Sequence, residues 1–262
     1  MPDLAPADVV FLTGAGISAN APTNGPVGYE LTTRALSNAF LPETLEEVQR
    51  GYEALGFGAG RMPRVEAILE IAARVHGQEV LEDLLEDLAV ARPNEFHRFF
   101  AEHVLAGGGH LTANFDTAIE RAVVGAEVLH FHGSLAFGTA GLGATLSRIE
   151  RGFPDEVGAE LRELLVGQHR HTLVVAGYSG LDFFDMDPFI TAHADELRNS
   201  IDRLIWIEHA HAAPEGLFTQ VEWSGPPMLA TLARAGVECT MVQAQTASLL
   251  CQGSAGTAQW RS

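Results

Sequence analysis

Residues 8–19 of the chain read DVVFLTGAGISA, and this stretch indicates the fold class. Its first six residues are a short β-branched and apolar run, which is typical of a strand buried in a parallel sheet. The remainder satisfies the pattern Gly-x-Gly-x-x-Gly/Ala directly after that strand. Glycines at this place let backbone N–H groups approach a pyrophosphate at the N-terminus of a helix. The alternative is a tight strand-to-helix turn that binds nothing.

The rest of the sequence divides into a helical part and an alternating part. Apolar periodicity predicts helices over residues 27–40, 43–55, 63–76, 78–90 and 93–106. An apolar stripe in the fourth of these is formed by Leu81, Leu84, Leu85 and Leu88. The later patterns predict strands over 110–113, 128–131, 172–176, 203–207 and 237–242, and helices over 117–124, 156–168, 187–199 and 226–235.

This alternation predicts an α/β fold, Rossmann-like, with a mainly parallel sheet that carries helices on both faces. The helical part, about residues 25–106, is then a lobe inserted between the first two strands. We expect one domain over residues 1–250. Residues 252–262 are small and polar, so we expect them to form a flexible tail.

The composition excludes several classes of function. The chain has 262 residues and a net charge of −18, and all 16 basic residues are arginine. Without lysine there is no P-loop lysine and no Schiff-base lysine, and so acidic a chain lacks the basic footprint that binds nucleic acid. The N-terminus lacks the features of a signal peptide, and no apolar run of about 18 residues occurs. We therefore expect a cytoplasmic protein without a direct nucleic-acid or membrane partner.

Polar residues follow the predicted strand at 110–113. Asn114 can donate and accept hydrogen bonds, whereas an ionised Asp116 only accepts them. Because ligands bind at the carboxyl edge of open α/β sheets, this pair could orient an amide or a ribose hydroxyl. The alternative is that Asp116 only caps the helix predicted over 117–124.

Two histidines lie at the end of the next strand, in the sequence His130-Phe131-His132-Gly133. In an extended strand, His130 and His132 point to the same face. His132 falls at the strand end, where a histidine can act as a general base near neutral pH. A structural histidine remains an alternative, and a metal site would need a third ligand that the pattern does not supply.

Carboxylates are concentrated near the sheet edge that follows residues 172–176. Asp182, Asp185 and Asp187 lie just before a predicted helix, so capping of its N-terminus and a role in a site are both open. Glu208 ends the strand predicted at 203–207. It is a candidate for binding ribose hydroxyls, with a plain surface carboxylate as the alternative.

These motifs, taken in order, resemble the sirtuin family. The family pattern runs from a Gly-Ala-Gly-Ile-Ser loop, through Asn-x-Asp, His-Gly and Gly-x-Ser segments, to a last strand that meets the adenosine. The matching positions are Gly14–Ser18, Asn114–Asp116, His132-Gly133, Gly177–Ser179 and Arg203–Glu208. The resemblance implies a sirtuin-type domain that binds NAD.

The resemblance also implies a role for each matching residue. His132 is the general base on the nicotinamide-side ribose, and Asn114 and Asp116 hold that ribose and the carboxamide. The rest of the NAD molecule is bound by Gly14, Ala15, Gly16, Ile17, Ser18, Gly177, Ser179 and Glu208. Because the net charge opposes an anionic ligand, we expect backbone amides of the glycine loop and a helix dipole to hold the phosphates.

The sequence departs from the protein-deacylating sirtuins at three places. Residues 19–28 read ANAPTNGPVG instead of containing Gly-Ile-Pro-Asp-Phe-Arg, and Ala113 replaces a glutamine. Residues 133–155 contain no cysteine, and the chain's two cysteines, Cys239 and Cys251, have no Cys-x-x-Cys partner, so we expect no zinc. The reduced pattern is more similar to the divergent sirtuin-like domains of bacterial anti-phage defence, which hydrolyse NAD to nicotinamide and ADP-ribose.

Three hypotheses follow from this resemblance. The first is an NAD glycohydrolase that acts as a defence or NAD-depletion effector. The second is an NAD-dependent deacylase, and the third is a non-catalytic module that binds NAD or ADP-ribose. Related effectors are commonly switched on through a sensor, so we expect a homo-oligomer or a separate sensor protein as the partner.

Overall fold

A computed structural model of the chain describes residues 5–27, 29–39, 41–56, 63–167, 169–180, 182, 184–209, 219–221 and 226–244. The strands are β1 Val9–Thr13, β2 Gly109–Thr112, β3 Leu129–His130, β4 His171–Ala176, β5 Ile201–His209, β6 Thr219–Val221 and β7 Glu238–Ala244. The helices are α1 Tyr29–Ala39, α2 Pro42–Ala54, α3 Val65–His76, α4 Val80–Leu84, α5 Glu86–Ala89, α6 Glu95–Leu105, α7 Ala118–Ala122, α8 Leu146–Ile149, α9 Asp155–Val166, α10 Met186–Ala192, α11 Ala194–Ser200 and α12 Pro227–Ala235. The predicted tail over 252–262 lies outside the described residues.

The strands form one sheet in the order β3-β2-β1-β4-β5-β7-β6. All neighbouring pairs are parallel except β6 and β7, which are antiparallel. From β1 the chain proceeds outward to β2 and β3, and then returns to the other side of β1 to form β4. The direction of winding therefore changes between β1 and β4. In open α/β sheets such a switch point forms a crevice outside the carboxyl ends of the strands, where ligands bind.

Helices cover both faces of the sheet, which confirms the predicted α/β fold. All five residues of β1 are buried, as expected of a central parallel strand. Val10 and Leu12 pack in a core with residues of α9 to α12, and Val9 and Phe11 pack in a second core with residues of α6 and α7. The alternation of side chains along β1 thus supplies both cores.

The helical lobe between β1 and β2 has a third core of its own. This core joins α1, α3, α4 and α5, and it also includes Leu142 and Ala144, which follow β3 in sequence. The last predicted helix of the lobe, α6, packs on the sheet instead, because Phe96 and Phe100 belong to the core around Phe11. The inserted lobe is therefore α1 to α5, and α6 connects it to the sheet.

The predicted elements match the observed ones with four differences. The helix predicted over 78–90 breaks at Leu85, whose φ of −109° and ψ of 8° separate α4 from α5. The break still leaves all four leucines of the stripe in the core of the lobe. The helix predicted over 187–199 is likewise divided at His193 into α10 and α11. The prediction missed α8 and β6, which are too short for a periodic signal.

Among the described residues, no helix is both long enough and apolar enough to cross a membrane.

Buried histidines line the core face of β1 and β2. His103 Nε2 lies 3.1 Å from the backbone oxygen of Val9, and His110 Nε2 lies 2.8 Å from Thr13 Oγ1. Burial lowers the pKa of His103, and it lowers the pKa of His110 well below the ordinary value. His97 and His171 also have a pKa lowered by burial. The fold therefore holds these side chains as neutral imidazoles.

We expect the free energy of unfolding to fall as the pH drops below the ordinary histidine pKa of about 6.5. There the unfolded chain binds more protons than the folded chain does, because the buried histidines have a lowered pKa, and this costs up to ~1.4 kcal/mol per pH unit for each histidine. His110→Gln keeps a hydrogen-bond donor for Thr13, and it should lower the number of protons taken up on unfolding by about one. The free energy of unfolding in urea, measured at about pH 7.5 and at about pH 5, gives this number.

The matched control is His169→Gln, because His169 is an exposed histidine outside this cluster. The pKa values of His130 and His132 are raised, so these two histidines change the free energy of unfolding with pH in the opposite direction. For this reason the pH dependence of each variant is compared with that of the parent chain. An equal pH dependence in His110→Gln and in the parent chain would contradict the role given to His110.

Candidate active site

The predicted site residues lie at one edge of the sheet, after the carboxyl ends of five strands. In the sheet register Thr13 pairs with Thr112 on one side and with Ala176 on the other, and Thr112 pairs with His130. Because these strands end level with one another, the segments that follow them emerge together. The edge is therefore formed by residues 14–18, 113–116, 131–134, 177–180 and 182, together with Glu208 near the end of β5.

The glycine loop after β1 packs directly against the segment after β4. The amide of Gly16 donates to the carbonyl oxygen of Gly177 at 2.8 Å. A Cβ on Gly16 would lie 2.7 Å from Gly177 Cα, and a Cβ on Gly14 would lie 2.8 Å from Tyr178 Cα. Gly177 has a φ of +64°, which favours glycine. These glycines thus allow two backbones to meet at the switch point of the sheet.

The glycine loop itself differs from the prediction that the N-terminus of a helix stands there. Ala15–Ser18 is a four-residue 3-10 helix, and the first α-helix begins only at Tyr29. The expected helix dipole is therefore missing directly behind the loop. Two of the loop amides are engaged within the protein, since Gly16 donates to Gly177 and Ile17 donates to the oxygen of Gly14 at 3.1 Å.

Asn114 and Asp116 form a hydrogen-bond network with the glycine loop. Asn114 Nδ2 donates to Ser18 Oγ and to Asp116 Oδ2, each at 3.2 Å, and Ser18 Oγ donates to Asp116 Oδ2 at 3.3 Å. Ser18 and Asp116 are buried, and Asn114 is half-buried. The carboxylate and the amide predicted as site residues are therefore fixed relative to each other and to the end of β1.

Asp116 also caps the helix that follows it. Its Oδ1 accepts from the amide of Ala118 at 2.9 Å. Oδ2 is the atom that faces Asn114 and Ser18. The two interpretations that the sequence left open for Asp116 are therefore compatible, because each carboxylate oxygen has a different partner.

His97 completes this network, although no chemical motif in the sequence points to it. Its Nδ1 accepts from the amide of Asn94 at 3.0 Å, so the neutral ring carries its proton on Nε2, which lies 3.0 Å from Ser18 Oγ. Burial lowers the pKa of His97 and favours this neutral form. Asn94 Nδ2 donates to the oxygen of Ile17 at 2.9 Å. The only local signal is that Asn94 is a good N-cap residue for α6.

His130 and His132 contact different groups, and the strand whose alternation would place both on one face ends at His130. Strand β3 ends at His130, and His132 lies in the turn beyond it. His130 is bonded to Glu120 Oε1 and to the oxygen of Asn114, each at 2.7 Å. Strand alternation no longer applies at His132, which turns instead to the segment after β4.

His132 lies among carboxylates. Its Nε2 is 3.0 Å from Asp185 Oδ2, and its side chain is 10% exposed. Burial by itself would lower the pKa of His132, but the hydrogen bond to Asp185 and the charges of Asp182, Asp185 and Glu66 outweigh it. The pKa of His132 is therefore raised, in contrast with that of His97.

Asp182 has a separate partner in the same region. Tyr178 Oη donates to Asp182 Oδ2. Burial raises the pKa of Asp182, and burial beside this carboxylate raises the pKa of Tyr178 well above its ordinary value. Arg64 stands close enough to Asp182 and Asp185 to feel their charge, although its own ion pair is with Glu66 at 2.9 Å.

A metal-ligating set does exist at this place among the described residues. His132, Asp182 and Asp185 each offer one ligand atom, and these atoms lie within 4.8 Å of one another. This set differs from the His130-x-His132 pair considered from the sequence, because it contains His132 but not His130. The three side chains are nevertheless paired within the protein, His132 with Asp185 and Asp182 with Tyr178.

A pocket of about 400 Å³ has Asp185 among its lining residues. Its walls come from the start of α9 and from α10, and they include Phe153, Phe184, Phe189 and His193. The Phe153 ring also lies 6.4 Å from the His132 ring, centroid to centroid. The pocket is therefore adjacent to the histidine rather than above the glycine loop.

The remaining predicted residues follow β4 and β5. Gly177 packs on the glycine loop, and Ser179 is exposed at the same edge. Glu208 is half-buried near the end of β5 and accepts from Gln243 Nε2 at 2.7 Å. Glu208 is thus oriented by the neighbouring strand β7 and is not a freely rotating surface carboxylate.

No protein-family model matches the chain, and no curated protein matches it. Among solved structures, the chain is similar to a structure described as a Sir2 enzyme, with 18% identity, a TM-score of 0.42 and coverage of 78% of this chain and 80% of that one. A mutant Sir2 homologue in complex with ADP ribose has 19% identity, a TM-score of 0.44 and coverage of 87% and 91%. A Sir2 complex with an inhibitor, 2'-O-acetyl-ADP-ribose and a deacetylated p53 peptide has 15% identity, a TM-score of 0.41 and coverage of 76% and 80%.

We expect Gly16→Ala to destabilise the chain by about 1–3 kcal/mol, because the new methyl group meets the Gly177 backbone, which cannot move aside. Gly158→Ala is the matched control. Gly158 lies inside α9, where an added methyl group would meet nothing within 4 Å, so alanine should stabilise the helix by about 0.5–1 kcal/mol. Thermal and urea unfolding of both variants measure the difference. Equal stability of the two variants would contradict the contact between the loops.

Proposed function

We propose that the chain hydrolyses NAD at the bond between nicotinamide and ribose, releasing nicotinamide and ADP-ribose. The observation that carries this proposal is that Asn114 and Asp116 are hydrogen-bonded to Ser18 of the glycine loop at the switch point of a parallel sheet, while His132 follows β3 at the same edge of that sheet. A crevice at that place is where α/β sheets of this type bind nucleotides. The three side chains are also the residue types that cleavage of an N-glycosidic bond requires.

The order of the strands supports a ligand with two nucleotide halves. Asn114, Asp116 and His132 follow β2 and β3, whereas Gly177 and Ser179 follow β4 and Glu208 lies near the end of β5. In strand order the two groups come from opposite sides of β1, although the His132 side chain reaches Asp185 in the segment after β4. Four strand spacings separate β3 from β5, about 19 Å in all, which suits two linked nucleotides better than one small molecule.

In the proposed binding mode, the phosphates of NAD lie over Gly14–Ser18 and beside Gly177 and Ser179. Glu208 accepts hydrogen bonds from the hydroxyls of the adenosine ribose. The nicotinamide riboside then lies over Asn114 and Asp116. The chain's net charge of −18 repels a pyrophosphate. The neutral hydrogen-bond donors at this edge of the sheet are therefore better suited to bind the phosphates than the protein's carboxylates are.

The chemical step requires stabilisation of a positive ribose. As the bond from C1′ to nicotinamide breaks, its electron pair leaves with the nicotinamide and the ribose gains oxocarbenium character. The fixed carboxylate of Asp116 stabilises that charge more in the transition state than in the ground state, and Asn114 orients the ribose. His132 removes a proton from a ribose hydroxyl. Water then adds to C1′ and loses one proton to solvent, while His132 returns its own proton to the ribose oxygen.

The pocket beside Asp185 favours one second candidate, NAD-dependent removal of an acyl group. Its volume of about 400 Å³ and its phenylalanine walls would accept an apolar acyl chain next to His132. The acyl oxygen would then replace water as the nucleophile at C1′. The acyl substrate has to come from another molecule if it is carried on lysine, because the chain has no lysine.

The test is incubation of the purified chain with NAD, with nicotinamide and ADP-ribose measured by chromatography. We expect release of both products without any acyl substrate. His132→Ala and Asn114→Ala should each reduce the rate by about 10²–10⁴-fold, because they remove the base and a positioning contact. His169→Ala is the matched control, since His169 is exposed and precedes β4 at the opposite edge of the sheet.

The other outcomes distinguish the remaining functions. Nicotinamide release that requires an acylated peptide would replace hydrolysis by deacylation. Binding of NAD in calorimetry without turnover, at low and at high protein concentration, would indicate a binding module. Activity that survives in both His132→Ala and Asn114→Ala would contradict the proposed site.

A further inference from the structure

The contact between His132 and Asp185 determines which ring nitrogen of His132 carries a proton. Nε2 lies 3.0 Å from Asp185 Oδ2, and the Asp185 side chain is only 4% exposed. An ionised carboxylate can only accept, so His132 Nε2 must be the donor. In the neutral ring, Nδ1 is then the nitrogen with the free electron pair. Among the described residues, Nδ1 has no hydrogen-bond partner.

Asp185 is held in place independently of the histidine. Its Oδ1 accepts from the amide of Met186 at 2.6 Å, at the first turn of α10. Met186 and Ile190 of that helix are buried in the core on one face of the sheet. The carboxylate is therefore anchored to the fold through one oxygen and presents the other to His132.

The neighbouring carboxylate does not compete for this role. Asp182 Oδ2 accepts from Tyr178 Oη, and Tyr178 is buried in the same core as β4. These two acids thus have distinct partners, Asp182 the tyrosine and Asp185 the histidine. Within the described part of the chain, the third acid, Asp187, forms no hydrogen bond or ion pair with His132.

We propose that Asp185 is the positioning residue for His132: it holds the proton on Nε2 and thereby directs the basic Nδ1 toward the substrate. This inference rests on the proposed function, in which His132 accepts a proton from a ribose hydroxyl. With the proton fixed on Nε2, the hydroxyl proton passes to Nδ1, and the resulting imidazolium is stabilised by the Asp185 carboxylate. The proton returns from Nδ1 to the ribose oxygen when water has added to C1′.

The charged groups around His132 come from two parts of the fold. Asp182 and Asp185 face it from the segment after β4, and Glu66 acts on it from the start of α3 in the lobe. Arg64 of the same part of the lobe is near both aspartates and is paired with Glu66. Of these groups, the described structure gives a hydrogen bond to His132 only for Asp185.

Asp185→Asn tests the proposal with little change in shape. Asn can keep its Oδ1 on the Met186 amide, but it presents an N–H group to His132 in place of an oxygen. His132 Nε2 must then accept, which moves the ring proton to Nδ1. Asp187→Asn is the matched control, because it removes one negative charge from the same helix turn without touching His132.

The first measurement does not depend on activity. Long-range proton–nitrogen NMR of the full chain, labelled with ¹⁵N-histidine and without NAD, reports the tautomer and the pKa of His132. Comparison with His132→Gln identifies its signals. We expect the proton on Nε2 in the parent chain and in Asp187→Asn, and on Nδ1 in Asp185→Asn. The pKa of His132 should also be lower in Asp185→Asn, because a stabilising charge is lost.

The second measurement is nicotinamide release as a function of pH. Asp185→Asn should reduce kcat by about 10²–10⁴-fold with little change in KM, and its acid limb should shift to lower pH. Asp185→Glu retains a carboxylate and should recover part of the rate. Loss of folding alone would change neither the tautomer nor the pH profile of the molecules that remain folded.

The outcomes separate this inference from the proposed function. A neutral His132 with its proton on Nδ1 in the parent chain would overturn the inference even if Asp185→Asn did not fold. An unchanged tautomer in Asp185→Asn would overturn it as well. If NMR shows the expected change of tautomer but NAD is not cleaved, the positioning contact stands and the proposed function fails.

Discussion

The close contact between two backbones at the switch point is the constraint on which the rest of the site depends. The amide of Gly16 meets the carbonyl of Gly177 at 2.8 Å, and a methyl group on either Gly14 or Gly16 would strike the segment after β4. This contact joins the two halves of the winding, one leading to β2 and β3 and the other to β4 and β5. Because the loops meet without side chains between them, the polar groups that follow each strand are brought to a common edge.

Two buried histidines at this edge have opposite electrostatic environments. His97 receives a hydrogen bond from the Asn94 amide on Nδ1, and burial lowers its pKa, so it is a neutral donor within the network of Ser18 and Asp116. His132 faces the Asp185 carboxylate, and its pKa is raised despite burial. A histidine side chain is therefore a fixed hydrogen-bond donor at position 97, whereas at position 132 it is suited to proton transfer. What decides between them is the partner and not the depth of burial.

Much of this arrangement could be predicted from the sequence, for identifiable reasons. The carboxyl ends of β1, β2 and β4 could be located because apolar runs end there in glycine or in polar residues. Asn114 and Asp116 could thereby be placed correctly at the edge of the sheet. His97 could not be found, since it lies 79 positions from Ser18 and its helix showed only an apolar pattern. The capping interpretation of the acids at 182–187 was correct for Asp185 but incomplete, because its second oxygen contacts His132.

The α/β class, the order of the elements and the types of residue that follow each strand can all be obtained from the sequence alone, because they depend on local periodicity and on glycine. Which of those residues act together is a property of the tertiary structure. The pairing of Asp185 with His132 spans 53 positions, and the lobe core recruits Leu142 and Ala144 from beyond β3. Such contacts depend on the direction in which each strand is added to the sheet and on where each strand stops. Two residues more in β3 would have included His132 in the alternation of the strand. Neither the direction nor the stopping point of a strand leaves a periodic signal in the sequence.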